Sequence, residues 1–321
     1  MRVWFALGLA VLTSGCASSA PDPRVGGHPG PAAPGTPPTF SAQLFLPGST
    51  GSQEVFVQVV DGMAIHQGDV LLGPVAEVGP RYGRPRFDRT VFRATAVDDE
   101  SYLWPGGVVP YTFDGSLSAQ DRSRLTAAIE RLNQTELTLR PATAADRDSV
   151  VFVDHGRGCY SYYGRVGGAQ DCHVGGCSTA TMMHEILHAV GFYHEHARPD
   201  RDQHVTVMWD DILEGQKSNF EVQETAITFG SYDFRSIMHY QATSHSRTGR
   251  PTLVPKVPGV KVGGATDLSD GDLAGIAALY GGASQRPSLP VPPGPGRSPR
   301  ASPRPGRAHH HRAGSLGPSR A

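Results

Sequence analysis

The sequence predicts an α+β fold, a sheet backed by helices, and three observations carry that prediction. Short runs rich in Val and aromatic residues, at 55–60, 108–113 and 150–153, read as strands. Between them Leu125, Ala128, Ile129 and Leu132 stand at i, i+3, i+4 and i+7, one apolar stripe with the helical period. Two more helices carry their own signals, one over 178–190 and one after Ser269, so helices and strands must share a core.

The chain has 321 residues, room for two ordinary domains, but only its middle is richly apolar. A formal net charge of −1 gives no global reason to bind nucleic acid. Four cysteines are too few for a disulfide scaffold. Residues 1–16 read as a signal peptide: Arg2 is the positive start, and 3–12 is an apolar run too short to span a bilayer. Thr13-Ser14-Gly15-Cys16 looks like a bacterial lipobox, with Cys16 the lipidated first residue of the mature chain; plain secretion is the alternative. No Asp follows Cys16, so the expected destination is the outer membrane or cell surface. Residues 17–50 read as a Pro/Gly-rich linker without a core-forming pattern.

Pattern returns at 51–94, with a strand at 55–60, the turn signal Asp61-Gly62, and the stretch from Ile65 through Gly68-Asp69 to Gly73. Arg81, Arg84, Arg86, Arg89 and Arg93 then form a segment that invites a trypsin-like protease. Val108 to Phe113 is a strand, and Ser118 with Asp121 starts the first striped helix. Residues 137–140 and 150–153 are further strands. Cys159 and Cys177 flank a Gly-rich stretch, and Cys172 lies between them. Spacing alone does not say which of the three pair and which stays free. Pro199 stops any helix, and Arg198 and Arg201 beside it point either to acidic residues in a ligand or to surface ion pairs. Ser269 with Asp272 caps the last helix, whose apolar face is Leu273, Ile276, Ala277 and Tyr280. Residues 284–321 contain no acidic residue and read as a disordered cationic tail, including His309-His310-His311.

The chemistry concentrates in His184-Glu185-Ile186-Leu187-His188, followed by Gly191 and His194. On a helix, residues four apart share a face, so His184 and His188 can offer imidazole nitrogens to one metal ion. Glu185 points about a quarter-turn away and can reach a water instead. Gly191 permits the positive φ that ends the helix and returns His194 to the same ion. Three imidazoles leave a fourth position open, as a catalytic zinc site requires. The full H-E-x-x-H-x-x-G-x-x-H spacing is far more specific than its first five residues.

Ser236-Ile237-Met238-His239-Tyr240 looks like a metzincin Met-turn, and with the zinc motif it makes the chain resemble the astacin family of zinc endopeptidases. Gly191-Phe192-Tyr193-His194-Glu195-His196, the run from Leu103 to Phe113, and Gly158 to Arg165 carry the same resemblance, which covers roughly residues 95–282. It implies a zincin-like catalytic domain over 95–283: a twisted, mostly parallel sheet with an antiparallel edge strand, an active-site helix and a C-terminal helix. It implies one Zn²⁺ per domain, held by His184, His188 and His194, with Glu185 as general base and Met238 as an apolar floor. Tyr240 would be a further ligand that swings to stabilise the oxyanion. Residues 51–94 would be a pro-segment whose Asp69 blocks the metal, although His66 stands where the family has Phe. A new amino terminus near 94–96 would lodge beside Glu195. Cys159 and Cys177 match a family disulfide; the family's second has no counterpart here. The function expected is peptide-bond hydrolysis in extracellular or envelope proteins by a monomer attached to a membrane through Cys16, with no nucleic-acid partner. An extended substrate would pair with an edge strand above the zinc helix. The alternative is a zinc-binding surface lipoprotein that binds without cleaving.

Overall fold

A computed structural model describes residues 39–44, 53–82, 100–156, 158–224 and 226–282. The signal segment with Cys16, the Arg-rich residues 83–99 and the tail after 282 lie outside the described residues. The strands are β1 (Thr39–Leu44), β2 (Gln53–Val60), β3 (Met63–His66), β4 (Val70–Pro74), β5 (Val108–Phe113), β6 (Thr138–Pro141), β7 (Ser149–Val153), β8 (Tyr160–Ser161), β9 (Ala169–His173), β10 (Val205–Val207) and β11 (Leu253–Pro255). The helices are α1 (Val75–Tyr82), α2 (Ala119–Leu132), α3 (Thr179–Ala189) and α4 (Asp270–Tyr280). None of them is long and apolar enough to cross a membrane.

Among the described residues, nine strands form one sheet in the order β1-β2-β3-β4-β8-β9-β7-β5-β6, and β10 and β11 form a separate pair. From β9 through β7 and β5 to β6 every pairing is parallel, and β8 runs antiparallel to β9. The mostly parallel sheet with an antiparallel strand at its margin is therefore present in the second part of the chain. That margin is not free. The antiparallel meander β1 to β4 continues the sheet, and β4 pairs parallel with β8 at Val70↔Ser161.

Each helix forms where its cap and stripe lie. Ser118 caps α2 by accepting from the Asp121 amide, and the side chains that α2 buries include Leu125, Ala128, Ile129 and Leu132. Ser269 and Asp272 make a reciprocal capping box on α4. α2 packs on α3, and both lie in the main core with β5, β7 and β9. A second core joins β1, β2 and β4 to Tyr102, Tyr163 and Tyr193 of the later chain.

One element corrects the sequence reading and another adds to it. β1 lies inside the stretch 17–50 read as linker, because Phe40, Ala42 and Leu44 alternate onto one face and Leu44 is buried. α1 runs through Gly79-Pro80, which would ordinarily interrupt a helix, and Val78 buries against the second core.

Candidate active site

α3 begins at Ser178, whose hydroxyl accepts from the Thr181 amide, and its last carbonyls are all claimed. Leu187 O accepts from Phe192 N at 2.9 Å and His188 O from Gly191 N and Gly164 N, both at 2.8 Å. Trp104 Nε1 donates to Ala189 O at 2.8 Å and Tyr280 Oη to Val190 O at 2.7 Å. Gly191 has φ +105°, the left-handed turn its position requires. Helix end and turn are thus held from four sides, which fixes His188 relative to His194.

His184 and His188 each carry a proton on Nδ1, because each Nδ1 faces a carbonyl that can only accept: Ile237 O at 2.8 Å and Phe192 O at 2.7 Å. Their Nε2 atoms turn inward. There they meet Asp69, whose Oδ2 lies 3.3 Å from His184 Nε2 and 3.1 Å from His194 Nε2, and whose Oδ1 is 3.7 Å from His188 Nε2. One ligand atom from each of the four lies within 4.8 Å of the others. Buried without hydrogen-bond partners are His188 Nε2, Asp69 Oδ1 and Glu185 Oε2. A carboxylate beside three inward imidazole nitrogens needs positive charge among them, a proton on one Nε2 or a bound cation. The donor set therefore fits a divalent metal, and three nitrogens with one oxygen are a zinc-type set.

The electrostatics point the same way. Burial opposes charge on His184, but the hydrogen bond and negative charge of Asp69 outweigh it and raise its pKa. Burial works to raise the pKa of Asp69, but the three histidines outweigh it and hold the carboxyl well below its ordinary range. Burial, and then the Asp69 charge, push Glu185 well above its ordinary value.

Asp69 reaches this place as the last residue of the tight turn Gln67-Gly68-Asp69 between β3 and β4. Gln67 and Gly68 both have left-handed φ, +48° and +83°. A Cβ on Gly68 would stand 2.9 Å from Tyr240 Oη, so only glycine passes there. Tyr240 donates to Gln67 O, Tyr163 Oη donates to Gln67 Oε1 at 2.9 Å, and His194 Nδ1 is 3.4 Å from the same Oε1. The Tyr240 hydroxyl is thus engaged by the hairpin tip, with its ring 4.7 Å from that of His194. The Tyr240 ring is 3.9 Å from that of His196, a buried packing histidine whose Nε2 is bonded to Asn219 O. His66, in the position of the family's Phe, is 2 % exposed, with Nδ1 on Phe56 O at 3.3 Å; burial lowers its pKa to about 4.

Met238 is buried, and its carbonyl accepts from Glu195 N at 2.9 Å. Glu195 Oε1 accepts from Arg198 Nη1 at 3.1 Å and from Asp233 N at 2.8 Å; burial raises its pKa to about 7. A cavity of about 30 Å³ lies against Glu195, Asp233 and Met238. Cys159 and Cys177 form a disulfide that ties the approach to β8 to the start of α3, and Cys172 is a buried free thiol. Arg198 and Arg201 do not await an acidic ligand. Both are buried, Arg198 on Glu195 and Asp200, Arg201 on Asp202 and the carbonyls of His196 and Phe220.

Sequence reasoning missed Gln67 and the second role of Asp272. Besides capping α4, Asp272 accepts from Ser236 Oγ at 2.6 Å and Ile237 N at 2.9 Å, clamping the turn that carries Met238. The capping box was its visible signal; Gln67 has none beyond preceding Gly68-Asp69.

This fold and donor set have the form of the metzincin class. A family model described as Astacin, a peptidase family, matches residues 96–281, and the chain belongs to the astacin family. It is 40% identical over 193 residues to zinc metalloproteinase nas-15 of Caenorhabditis elegans, covering 58% of this chain and 34% of that protein. It is 38% identical over 192 residues to zinc metalloproteinase nas-6 of the same organism, covering 58% of this chain and 56% of that one. Human meprin A subunit beta is 35% identical over 207 residues, with 62% and 29% covered. The chain thus spans less than two thirds of these relatives' own lengths. Among solved structures, the zinc-protease hatching enzyme high choriolytic enzyme 1 of the medaka Oryzias latipes superposes with a TM-score of 0.53 at 31% identity, covering 57% of this chain and 96% of that one. Zinc is the metal of this family, consistent with the donor set found here.

Proposed function

We propose that the chain is a zinc endopeptidase kept latent by its own amino-terminal hairpin. The observation that carries this reading is the convergence of three histidine Nε2 atoms on the Asp69 carboxylate, with the buried Glu185, its Oε2 without a hydrogen-bond partner, within reach of the Asp69 charge. His184, His188 and His194 would hold Zn²⁺, which when bound supplies Lewis-acid polarisation of a water and of the scissile carbonyl. Glu185 takes the proton of the attacking water and delivers it to the leaving amine. Its raised pKa belongs to the closed form: burial and the Asp69 charge cause it, and withdrawal of the hairpin relieves both. Tyr240, once released by Gln67, donates its hydroxyl to the developing oxyanion. Met238 closes the floor beneath the histidines.

Cleavage in the Arg-rich stretch 80–95 would free a new amino terminus, for which Glu195 and its adjoining cavity offer a buried carboxylate. Departure of β4 would expose β8 to an extended peptide. The substrates would be extracellular or envelope proteins, met by a monomer anchored through Cys16. The test is hydrolysis of a peptide library by the full chain before and after limited trypsin treatment, beside Glu185→Ala and a chelated sample. Cleavage only by the trypsin-treated, metal-loaded parent is expected. A treated chain that binds zinc and cleaves nothing would replace this reading with that of a binding lipoprotein.

A further inference from the structure

We propose that His155, Asp171 and His173 form a second metal site, which takes a divalent transition-metal cation of the zinc class. They share no residue with the set around Asp69, and one ligand atom from each lies within 4.8 Å of the others. Two ligands at about 2.0–2.2 Å from one ion stand roughly 3–4 Å apart, so the cluster is close to the spacing a metal needs, and the exposed His155 is the ligand with room to move.

The backbone builds this cluster from pairing alone. Asp171 and His173 are two apart on β9 and so share one face of the sheet. β7 runs parallel to β9 with Val153 opposite His173, and His155 follows two residues beyond Val153. The rings of His155 and His173 are 5.0 Å apart. Tyr160, opposite His173 on β8, stacks on that imidazole at 4.0 Å and sets its plane.

His173 is 4% exposed, yet its Nε2 has no hydrogen-bond partner. A buried imidazole nitrogen without a partner is costly, and a metal ion is one way to satisfy a histidine in this position. The Asp114 and Asp154 charges act on Asp171 and His173 and add negative potential around the cluster. Two imidazoles and one carboxylate suit zinc, cobalt or nickel over the oxygen-seeking cations. His155 faces solvent, so water completes the coordination. Binding would hold the chain that leaves β7 against the sheet, on its way to Cys159 and β8.

The test counts metal on the full chain with His309, His310 and His311 replaced by Ala, which removes the tail imidazoles as a competing source. After stripping, the protein is dialysed against micromolar Zn²⁺ and bound zinc is measured per chain. His155→Ala and Asp171→Asn are each introduced into this parent; His155 is exposed, so its loss does not threaten folding. Each variant is expected to hold one equivalent fewer than the parent, and the rise in Tm that zinc gives the parent is expected to shrink in both. An undiminished count in either variant overturns the proposal. A count that falls in both refers to this site alone, because the set around Asp69 is intact in all three proteins.

Discussion

Replacing Asp69 by Ala should switch on the uncleaved chain. The carboxylate stands 3.1–3.7 Å from three imidazole nitrogens. Against one unit of positive charge held among those nitrogens, a bound cation or a proton on His184, the carboxylate is worth about 4 kcal/mol at an effective dielectric near 20. At 1.4 kcal/mol per decade that is roughly a thousandfold in the balance between closed and open hairpin. Other holds on the tip survive: Gln67 still accepts from Tyr240 and Tyr163, and β4 still pairs with β8. Activity should therefore rise by about a hundred- to a thousandfold, up to the ceiling set by the trypsin-treated parent. The assay is initial-rate hydrolysis of a fluorogenic peptide by full-length parent, Asp69→Ala and the near-isosteric Asp69→Asn, with Tm recorded for each. A rise of less than threefold in both variants, at unchanged Tm, would refute the reasoning. Latency would then rest on the β4 strand and the Gln67 contacts alone.

Other expectations can be checked with the same preparations. The folded pKa of His66, about 4, lies below its free value of 6.5, so its contribution to hairpin docking is complete above pH 6.5 and is lost as pH falls through 4. Urea unfolding at pH 7.5 and 4 should show His66→Phe gaining on the parent by up to about 3 kcal/mol over that window, and an unchanged gap would contradict the assignment. Asp272→Ala strands three donors, Ser236 Oγ, Ile237 N and Ser269 N, and should cost roughly 3–5 kcal/mol and about 10 °C of Tm by calorimetry. Breaking Cys159–Cys177, which closes a separation of 18 residues, should cost about 3 kcal/mol, read as a shift of the denaturant midpoint between the parent and Cys159→Ser/Cys177→Ser.

Local pattern made much of this molecule legible before the structure. β5, α2, α3 and α4 announce themselves by alternation, stripe or cap, and His184, His188 and His194 by their spacing around Gly191. β1 was hidden because its three apolar residues follow directly on a Pro/Gly-rich run, and six residues are little on which to detect a period. Gln67 was illegible for a different reason: its partners Tyr163 and His194 lie 96 and 127 residues away, and nothing near it encodes them. Arg198 and Arg201 misled because charge on a sequence says nothing about burial. Here both guanidinium groups are buried against carboxylates, carbonyls and aromatic rings.

α4 closes the site from behind: Asp272 holds the Met238 turn and Tyr280 caps the end of α3. Both residues lie near the carboxyl end of the described residues, whereas the Asp69 hairpin lies far ahead of them. In synthesis, which runs from the amino end, the Asp69 turn is made before the residues that brace the site. Nascent chains halted before residue 270 should accordingly lack a protease-resistant core around α3, which pulse proteolysis would detect. On the latent reading proposed above, the cleft is completed only around an occupant already in place.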